Sequence, residues 1–244
     1  MSLYGLIGKK LSHSFSKKYF TEKFENEGLH TCKYELFELD SIAELSKLVH
    51  SKADIVGLNV TIPYKEVVIP MLDEVHEKAR EIGAVNVIKV RDGKLIGFNS
   101  DYFGFKESLV NWVGASKLHA LVLGTGGASK AVIAALKDLA IPYQVVSRKA
   151  TRQTLSYSSL KETPQVLNSH RLIINTTPLG MLPQIDSAPD LDYSLISNNH
   201  YLYDLVYNPE VTRFLKMGQE HGAMIKNGIE MLHLQAEMSW KIWN

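Results

Sequence analysis

Leu118-His-Ala-Leu-Val-Leu-Gly-Thr-Gly-Gly-Ala-Ser129 is an apolar run that breaks into glycines and small residues. His119–Leu123 reads as a strand buried on both faces, and the periodic stretch Lys130–Ala140 behind the glycines reads as a helix. A glycine-rich turn between strand and helix is the setting in which such a motif binds phosphate. Gly124 allows the tight turn, and Gly126 lets backbone amides approach a pyrophosphate. The helix N-terminus beyond adds aligned N–H donors and partial positive charge. Ala128 and Ser129 are small enough for close helix–strand packing. An ordinary βα turn is the plain alternative.

The next strand, Tyr143–Val146, should end at an adenosine ribose. An acidic residue there would hold the 2′-hydroxyl of NAD. This chain has Ser147-Arg-Lys149 instead, with Arg152 soon after. A guanidinium grips a 2′-phosphate with paired hydrogen bonds, so the expected cofactor is NADP.

Upstream, strand-like and helix-like segments also alternate. Strands are expected at Leu3–Gly8, Lys33–Leu39 and Asp54–Val60. Helices are expected at Ser14–Glu27, at Ser41–Ser51 behind a Ser41/Glu44 capping box, at Leu72–Glu81 and at Asp101–Val113. Ala84–Val90 and Leu95–Phe98 flank Arg91-Asp-Gly-Lys94, a hairpin signal. Downstream come strands Leu172–Asn175 and Tyr201–Leu205 and helices Glu210–Glu220 and Gly228–Trp243. The class is α/β, with crossovers implying parallel sheets and two α/β layers meeting near residue 101.

Across 244 residues the net charge is +1, which argues against a nucleic-acid or membrane-surface role resting on bulk charge. The lone Cys32 cannot form an internal disulfide, and the N-terminus lacks the basic flank of a signal peptide. A reducing, cytoplasmic setting is expected. No Cys/His spacing suggests a metal site, and no apolar run is long enough to cross a bilayer.

The segment Asn59-Val-Thr-Ile-Pro-Tyr-Lys65 closes the third expected strand. Pro63 ends it for want of a backbone donor, and Lys65 is delivered just beyond the strand's carboxyl end, near Asn59 and Thr61. Ligands sit at that end in open α/β sheets, which makes Lys65 a candidate proton carrier. A solvated surface lysine is the commoner outcome.

Eight segments recur together and in order: Gly8…His13-Ser-Phe-Ser16, Asn59–Lys65, Gly83-Ala-Val-Asn86, Asn99-Ser-Asp101, Gly124–Ser129, Asn175-Thr-Thr-Pro-Leu-Gly-Met181, Asp204-Leu-Val-Tyr-Asn-Pro209 and Asn227-Gly-Ile-Glu-Met-Leu-His-Leu-Gln235. With them the chain resembles the shikimate dehydrogenase family from residue 5 to about 236. The resemblance implies an N-terminal α/β substrate-binding domain over 1–101 and a Rossmann-like NADP-binding domain over 102–221. It also implies a cleft active site and a last helix, 222–244, returning to the first domain. The implied activity is reversible NADPH-dependent reduction of 3-dehydroshikimate to shikimate, a step toward chorismate and the aromatic amino acids.

The resemblance makes Lys65 the catalytic lysine and Asp101 its partner carboxylate. Ser14 and Ser16, aided by Tyr207, would hold the substrate carboxylate, and Thr61, Asn86 and Gln235 the ring hydroxyls. Cofactor contacts would come from Gly124, Thr125, Gly126, Gly127 and Ala128, from Ser147, Arg148, Lys149 and Arg152, and from Leu205, Gly228 and Glu77. The chemistry agrees. Hydride transfer to a ketone leaves charge on oxygen, so a proton donor must stand within reach. Each assignment has a plainer counterpart: Ser14 as a helix cap, Tyr207 as a core aromatic, Gln235 as a solvated helix residue.

The chain departs from the family pattern at Lys10, Lys17, Ser100 and Ser147, none of them an expected catalytic position. Rival readings are a quinate or quinate/shikimate dehydrogenase, a non-catalytic NADP-binding protein of the same fold, and a dehydrogenase for another hydroxy acid. The assembly is expected to be a monomer or homodimer.

Overall fold

The computed structural model describes residues 1–11, 14–114 and 117–244; His13, from the first motif above, lies outside them. The chain divides into two compact units, residues 1–100 with 235–244, and residues 101–234.

The first unit holds β1 (Ser2–Gly8), α1 (Phe15–Asn26), β2 (Cys32–Glu38), α2 (Glu44–Ser51), β3 (Ile55–Val60), α3 (Tyr64–Val67), β4 (Glu74–Val75), α4 (Glu77–Ile82), β5 (Val87–Arg91) and β6 (Lys94–Phe98). Its sheet runs β2-β1-β3-β5-β6-β4. The central strand β1 buries Leu3, Tyr4, Leu6 and Ile7, because apolar clusters cover both faces. One face packs Ile7, Leu45, Leu58, Val68 and Ile88; the other packs Tyr4, Phe20, Phe24, Tyr34 and Trp243.

β1, β2 and β3 are parallel, but β5 is antiparallel to both β3 and β6, so this sheet is mixed rather than parallel. The hairpin forms where Asp-Gly was read. Asp92 and Gly93 have φ of 51° and 76°, the double positive φ that matches the right-handed twist of the flanking strands.

Helices α4 and α2 start later than expected. Helix α4 begins at Glu77, not Leu72. The backbone donors of Asp73 and His76 go to Leu95 and Gly97 of β6, and the Asp73 carboxylate accepts from the Leu95 amide. Pairing with a distant strand overrides local helix preference there. Helix α2 begins at Glu44, whose carboxylate reaches back to the Ser41 amide at 2.8 Å, half of a capping box.

The second unit adds β7 (Ala120–Leu123), α6 (Gly127–Asp138), β8 (Tyr143–Ser147), β9 (Thr154–Ser156), α7 (Tyr157–Glu162), α8 (Gln165–Ser169), β10 (Leu172–Asn175), β11 (Tyr201–Asp204), α9 (Arg213–Glu220) and β12 (Met224–Lys226). Helices α5 (Ser100–Val113) and α10 (Ile229–Trp243) contain the two chain divisions. All strands of the second sheet are parallel, in the order β12-β11-β10-β7-β8-β9. That is the doubly wound dinucleotide-binding order, with its reversal between β7 and β10. β12 is a sixth strand of this sheet, so residues 222–234 cluster here and not, as expected, with the first unit.

Candidate functional site

In the first unit the strand directions gather the expected residues at one edge of the sheet. Ser14 and Ser16 follow β1, and Thr61 and Lys65 follow β3. Because β5 is antiparallel, Asn86 just before it stands beside the end of β3, and the Val60 amide donates to the Asn86 carbonyl at 2.9 Å. Ser100 follows β6 at the same edge.

Ser14 is the α1 cap, its oxygen accepting from the Lys17 amide at 3.3 Å. A hydroxyl that accepts on oxygen still has its hydrogen to donate, so cap and carboxylate ligand are compatible roles. Lys65 is half-buried on the first turn after Pro63, and its carbonyl accepts from the Val85 amide at 2.7 Å. Glu77 opens α4 in an exposed position.

Behind that edge lies a buried polar relay. Burial pushes the Tyr34 hydroxyl well above its usual range. Tyr34 donates to Asn59 Oδ1 at 2.7 Å, and Asn59 Nδ2 donates to Ser239 Oγ at 3.0 Å and to the Asn86 carbonyl. Asn86 Nδ2 donates to Ser100 Oγ at 3.0 Å, and Ser100 donates to Gln235 Oε1 at 3.2 Å. Asn86, Ser100, Gln235 and Ser239 are all buried. The relay therefore joins two expected ligand residues, Asn86 and Gln235, and Gln235 is not a solvated helix residue. Reading the sequence alone missed Tyr34 and Ser239 as members. An Asn in an apolar strand, and a serine one helical turn beyond Gln235, were the available signals.

Asp101 and Tyr207 belong to the second unit. Asp101, the second residue of α5, is buried, and Tyr207 is half-buried with its hydroxyl pushed up by burial.

In that unit Gly124 has φ +115°, and a Cβ there would stand 2.7 Å from Thr176 Oγ1, so only glycine fits at the reversal point between β7 and β10. Helix α6 starts at Gly127, inside the motif and three residues earlier than expected, with Gly126 as a cap that has no side chain. A Cβ on Gly126 would meet nothing within 4 Å, leaving open space above the helix N-terminus. Open room, a glycine cap and the helix dipole together fit a pyrophosphate.

At the end of β8 the Ser147 hydroxyl donates to the Lys149 carbonyl at 2.5 Å, and the Thr151 amide donates to the Thr154 carbonyl. These bonds shape the loop while Arg148, Lys149 and Arg152 stay exposed, as a 2′-phosphate requires. Ser147 braces this loop. Leu205 and Gly228 are brought together: a Cβ on Gly228 would lie 2.2 Å from the Leu205 carbonyl oxygen, so close backbone approach explains that glycine.

Asp204 ties two loops at the same edge, accepting from Asn175 Nδ2 at 2.9 Å, the Val206 amide at 3.0 Å and Thr212 Oγ1 at 2.6 Å. Burial pushes its carboxyl up to about 7, against the lowering effect of those bonds. The folded value lies above the ordinary one near 3.8, so the folded chain holds this proton longer than the unfolded chain. The contribution is therefore fully present below about pH 4 and lost as pH rises through about 7. Asp204→Asn should flatten that slope, the two proteins diverging by up to roughly 4 kcal/mol between pH 4 and 8. Denaturant unfolding of both across that range checks it; parallel curves would refute it.

Among the described residues no group of three or more metal-binding side chains occurs, and no helix is long and apolar enough to cross a membrane.

A family model described as the shikimate dehydrogenase substrate binding domain matches residues 6–88. A shikimate dehydrogenase (NADP(+)) from Clostridium beijerinckii is 41% identical over 253 residues, covering 100% of this chain and 92% of the relative. The solved structure of shikimate dehydrogenase 1 from Peptoclostridium difficile gives a TM-score of 0.87 at 37% identity, covering 100% of this chain and 91% of that one. Shikimate 5-dehydrogenase from Thermus thermophilus, solved in complex with NADP(H) and shikimate, gives 0.86 at 30% identity, covering 100% and 93%.

Proposed function

The chain belongs to the shikimate dehydrogenase family, and we propose that it catalyses the reversible NADPH-dependent reduction of 3-dehydroshikimate to shikimate in aromatic amino acid biosynthesis. The observation that carries this reading is the buried relay of amides and hydroxyls from Tyr34 to Gln235, directional donors and acceptors suited to a polyhydroxylated ring. The first unit is the substrate-binding domain and the second the NADP-binding domain. The lone Cys32 suits a reducing cytoplasm.

Ser14 and Ser16 donate to the substrate carboxylate without burying a counter-charge, and Tyr207 adds a third hydroxyl. Thr61, Asn86 and Gln235 hold the ring hydroxyls. Lys65 gives a proton to the ketone oxygen during reduction and takes it back during oxidation; Asp101 orients the ammonium and accepts from a hydroxyl. When bound, NADP supplies the hydride chemistry. Gly124–Ala128 receive its pyrophosphate, Arg148, Lys149 and Arg152 its 2′-phosphate, and Leu205, Gly228 and Glu77 lie along the remainder.

The test is the rise in reduced-nicotinamide absorbance with shikimate and NADP⁺, run beside quinate and NAD⁺. Turnover with quinate alone, or NADP binding without turnover, would overturn the reading. Arg148→Ala should raise KM for NADP⁺ about 10- to 100-fold, the worth of one charged hydrogen-bonding group. KM for NAD⁺ should stay constant, and equal losses for both cofactors would remove Arg148 from phosphate recognition.

A further inference from the structure

Phe15, Tyr19 and Lys23 recur at four-residue spacing and share one face of α1, while Glu237 and Trp240 share one face of α10. These faces meet. The Tyr19 hydroxyl donates to Glu237 Oε1, and Lys23 Nζ donates to both Glu237 oxygens, at 2.9 and 3.1 Å. Lys23 also bonds Glu27 at 2.7 Å and lies 5.9 Å from the centre of the Trp240 ring. Tyr19 stacks on Phe15, with ring centroids 5.5 Å apart. A fully exposed ion pair would add little, because water and salt screen it. Here the Lys23 side chain is 10% exposed, and a second, neutral donor shares the carboxylate. Burial opposes the charge on Glu237, yet the bonds from Tyr19 and Lys23 outweigh it and hold the carboxyl below its ordinary range.

The tie joins two helices that carry different parts of the expected substrate site, all within the first unit. Ser14 and Ser16 stand at the start of α1, and Gln235 precedes Glu237 on α10. At a rise of about 1.5 Å per residue, the tie lies roughly 5 Å along α1 from Ser16 and roughly 3 Å along α10 from Gln235. We propose that Glu237 is a positioning residue that sets the span between the serine hydroxyls and Gln235, by clamping Tyr19 and Lys23 to α10. The inference rests on the reading of Ser14 and Ser16 as carboxylate ligands and of Gln235 as a ring-hydroxyl ligand. The substrate ring is rigid, so its carboxylate and its hydroxyls can be met together only at one separation. A clamp holds that separation before substrate arrives, and binding then need not order the helices. Phe20 and Phe24, buried farther along α1, keep the helix body in the core. Loss of the clamp therefore loosens the first turns of α1, and the carboxylate contacts weaken.

The experiment compares wild type, Glu237→Ala, Tyr19→Phe and the double variant on shikimate and on the analogue whose carboxylate is reduced to a primary alcohol. The readout is kcat/KM from initial slopes, which needs no saturation. Glu237→Ala should lower it for shikimate about tenfold, mainly through KM, the worth of one charged hydrogen bond. The dissociation constant for NADP⁺ should stay within about twofold of wild type. On the alcohol the loss should be about twofold or less, because a neutral group draws less from the serine hydroxyls than a carboxylate does. Tyr19→Phe keeps the ring stacked on Phe15 and removes only the hydroxyl, so it should act in the same direction by about three- to tenfold. The double variant should match Glu237→Ala within about twofold, since both changes cut one tie. A Glu237 that only stabilises the fold would lower the unfolding midpoint and leave wild-type kinetics in the folded protein. That result, or equal losses on shikimate and the alcohol, overturns the proposal while leaving shikimate oxidation intact. A wild-type protein with no shikimate turnover overturns the underlying reading and this inference with it.

Discussion

Lys65→Met should lower kcat for shikimate oxidation by about 10²- to 10⁴-fold, the range expected when a positioned proton carrier is removed. Methionine keeps the length and apolar stem of lysine, and Lys65 is half-buried on a short helical turn held by its own carbonyl's bond to the Val85 amide. The backbone and its packing should therefore survive. KM for shikimate and the dissociation constant for NADP⁺ should change by less than about tenfold, because the group removed acts on the proton moving in the transition state rather than mainly on ground-state binding. Steady-state kinetics and fluorescence titration with NADP⁺ make the comparison. A variant that keeps a tenth or more of wild-type kcat would remove Lys65 from the proton path. Asp101→Asn should then be the variant that abolishes turnover.

The second large effect concerns stability. Trp243→Ala should destabilise the first unit by about 3–5 kcal/mol, the cost of emptying a large aromatic site in a packed core. Trp243 is 2% exposed. Its ring centroid lies 5.0 Å from Tyr4 and 5.3 Å from Phe20, and its indole N–H donates to the Ile88 carbonyl at 3.0 Å. This side chain anchors the end of α10, the helix that carries Gln235 and Ser239 into the relay. Loosening it should raise KM for shikimate more than KM for NADP⁺. Trp243→Phe keeps most of the apolar surface but leaves the Ile88 carbonyl without its donor, so about 1–2 kcal/mol should be lost. Urea unfolding of the three proteins decides the matter. An unchanged midpoint for Trp243→Ala would mean that the aromatic cluster closes over the gap or contributes little to the cooperative unit.

What the sequence determined by itself is whatever depends on a few adjacent residues. The Asp92-Gly93 turn was legible because backbone preference at two positions sets the hairpin. The Gly124–Ser129 turn was legible because a glycine between a buried strand and a helix has few other uses. That Lys65, Arg148, Lys149 and Arg152 stand just beyond strand ends followed from the expected strand bounds. The tertiary structure alone decided what depends on partners far along the chain. Two-residue β4 exists because β6 carbonyls accept the flanking Asp73 and His76 amides, and β12 because β11 pairs with it; neither has a periodic signal long enough to read. The pairing of β5 with β3, which brings Asn86 to the edge beside that strand, was likewise invisible. The relay is the clearest case. Tyr34, Asn59, Asn86, Ser100, Gln235 and Ser239 span more than two hundred residues of chain, and each alone reads as an ordinary polar or aromatic side chain. Hydrogen-bond polarity is a property of the closed network: which end of an amide donates is set by the group opposite it, and only folding chooses that group.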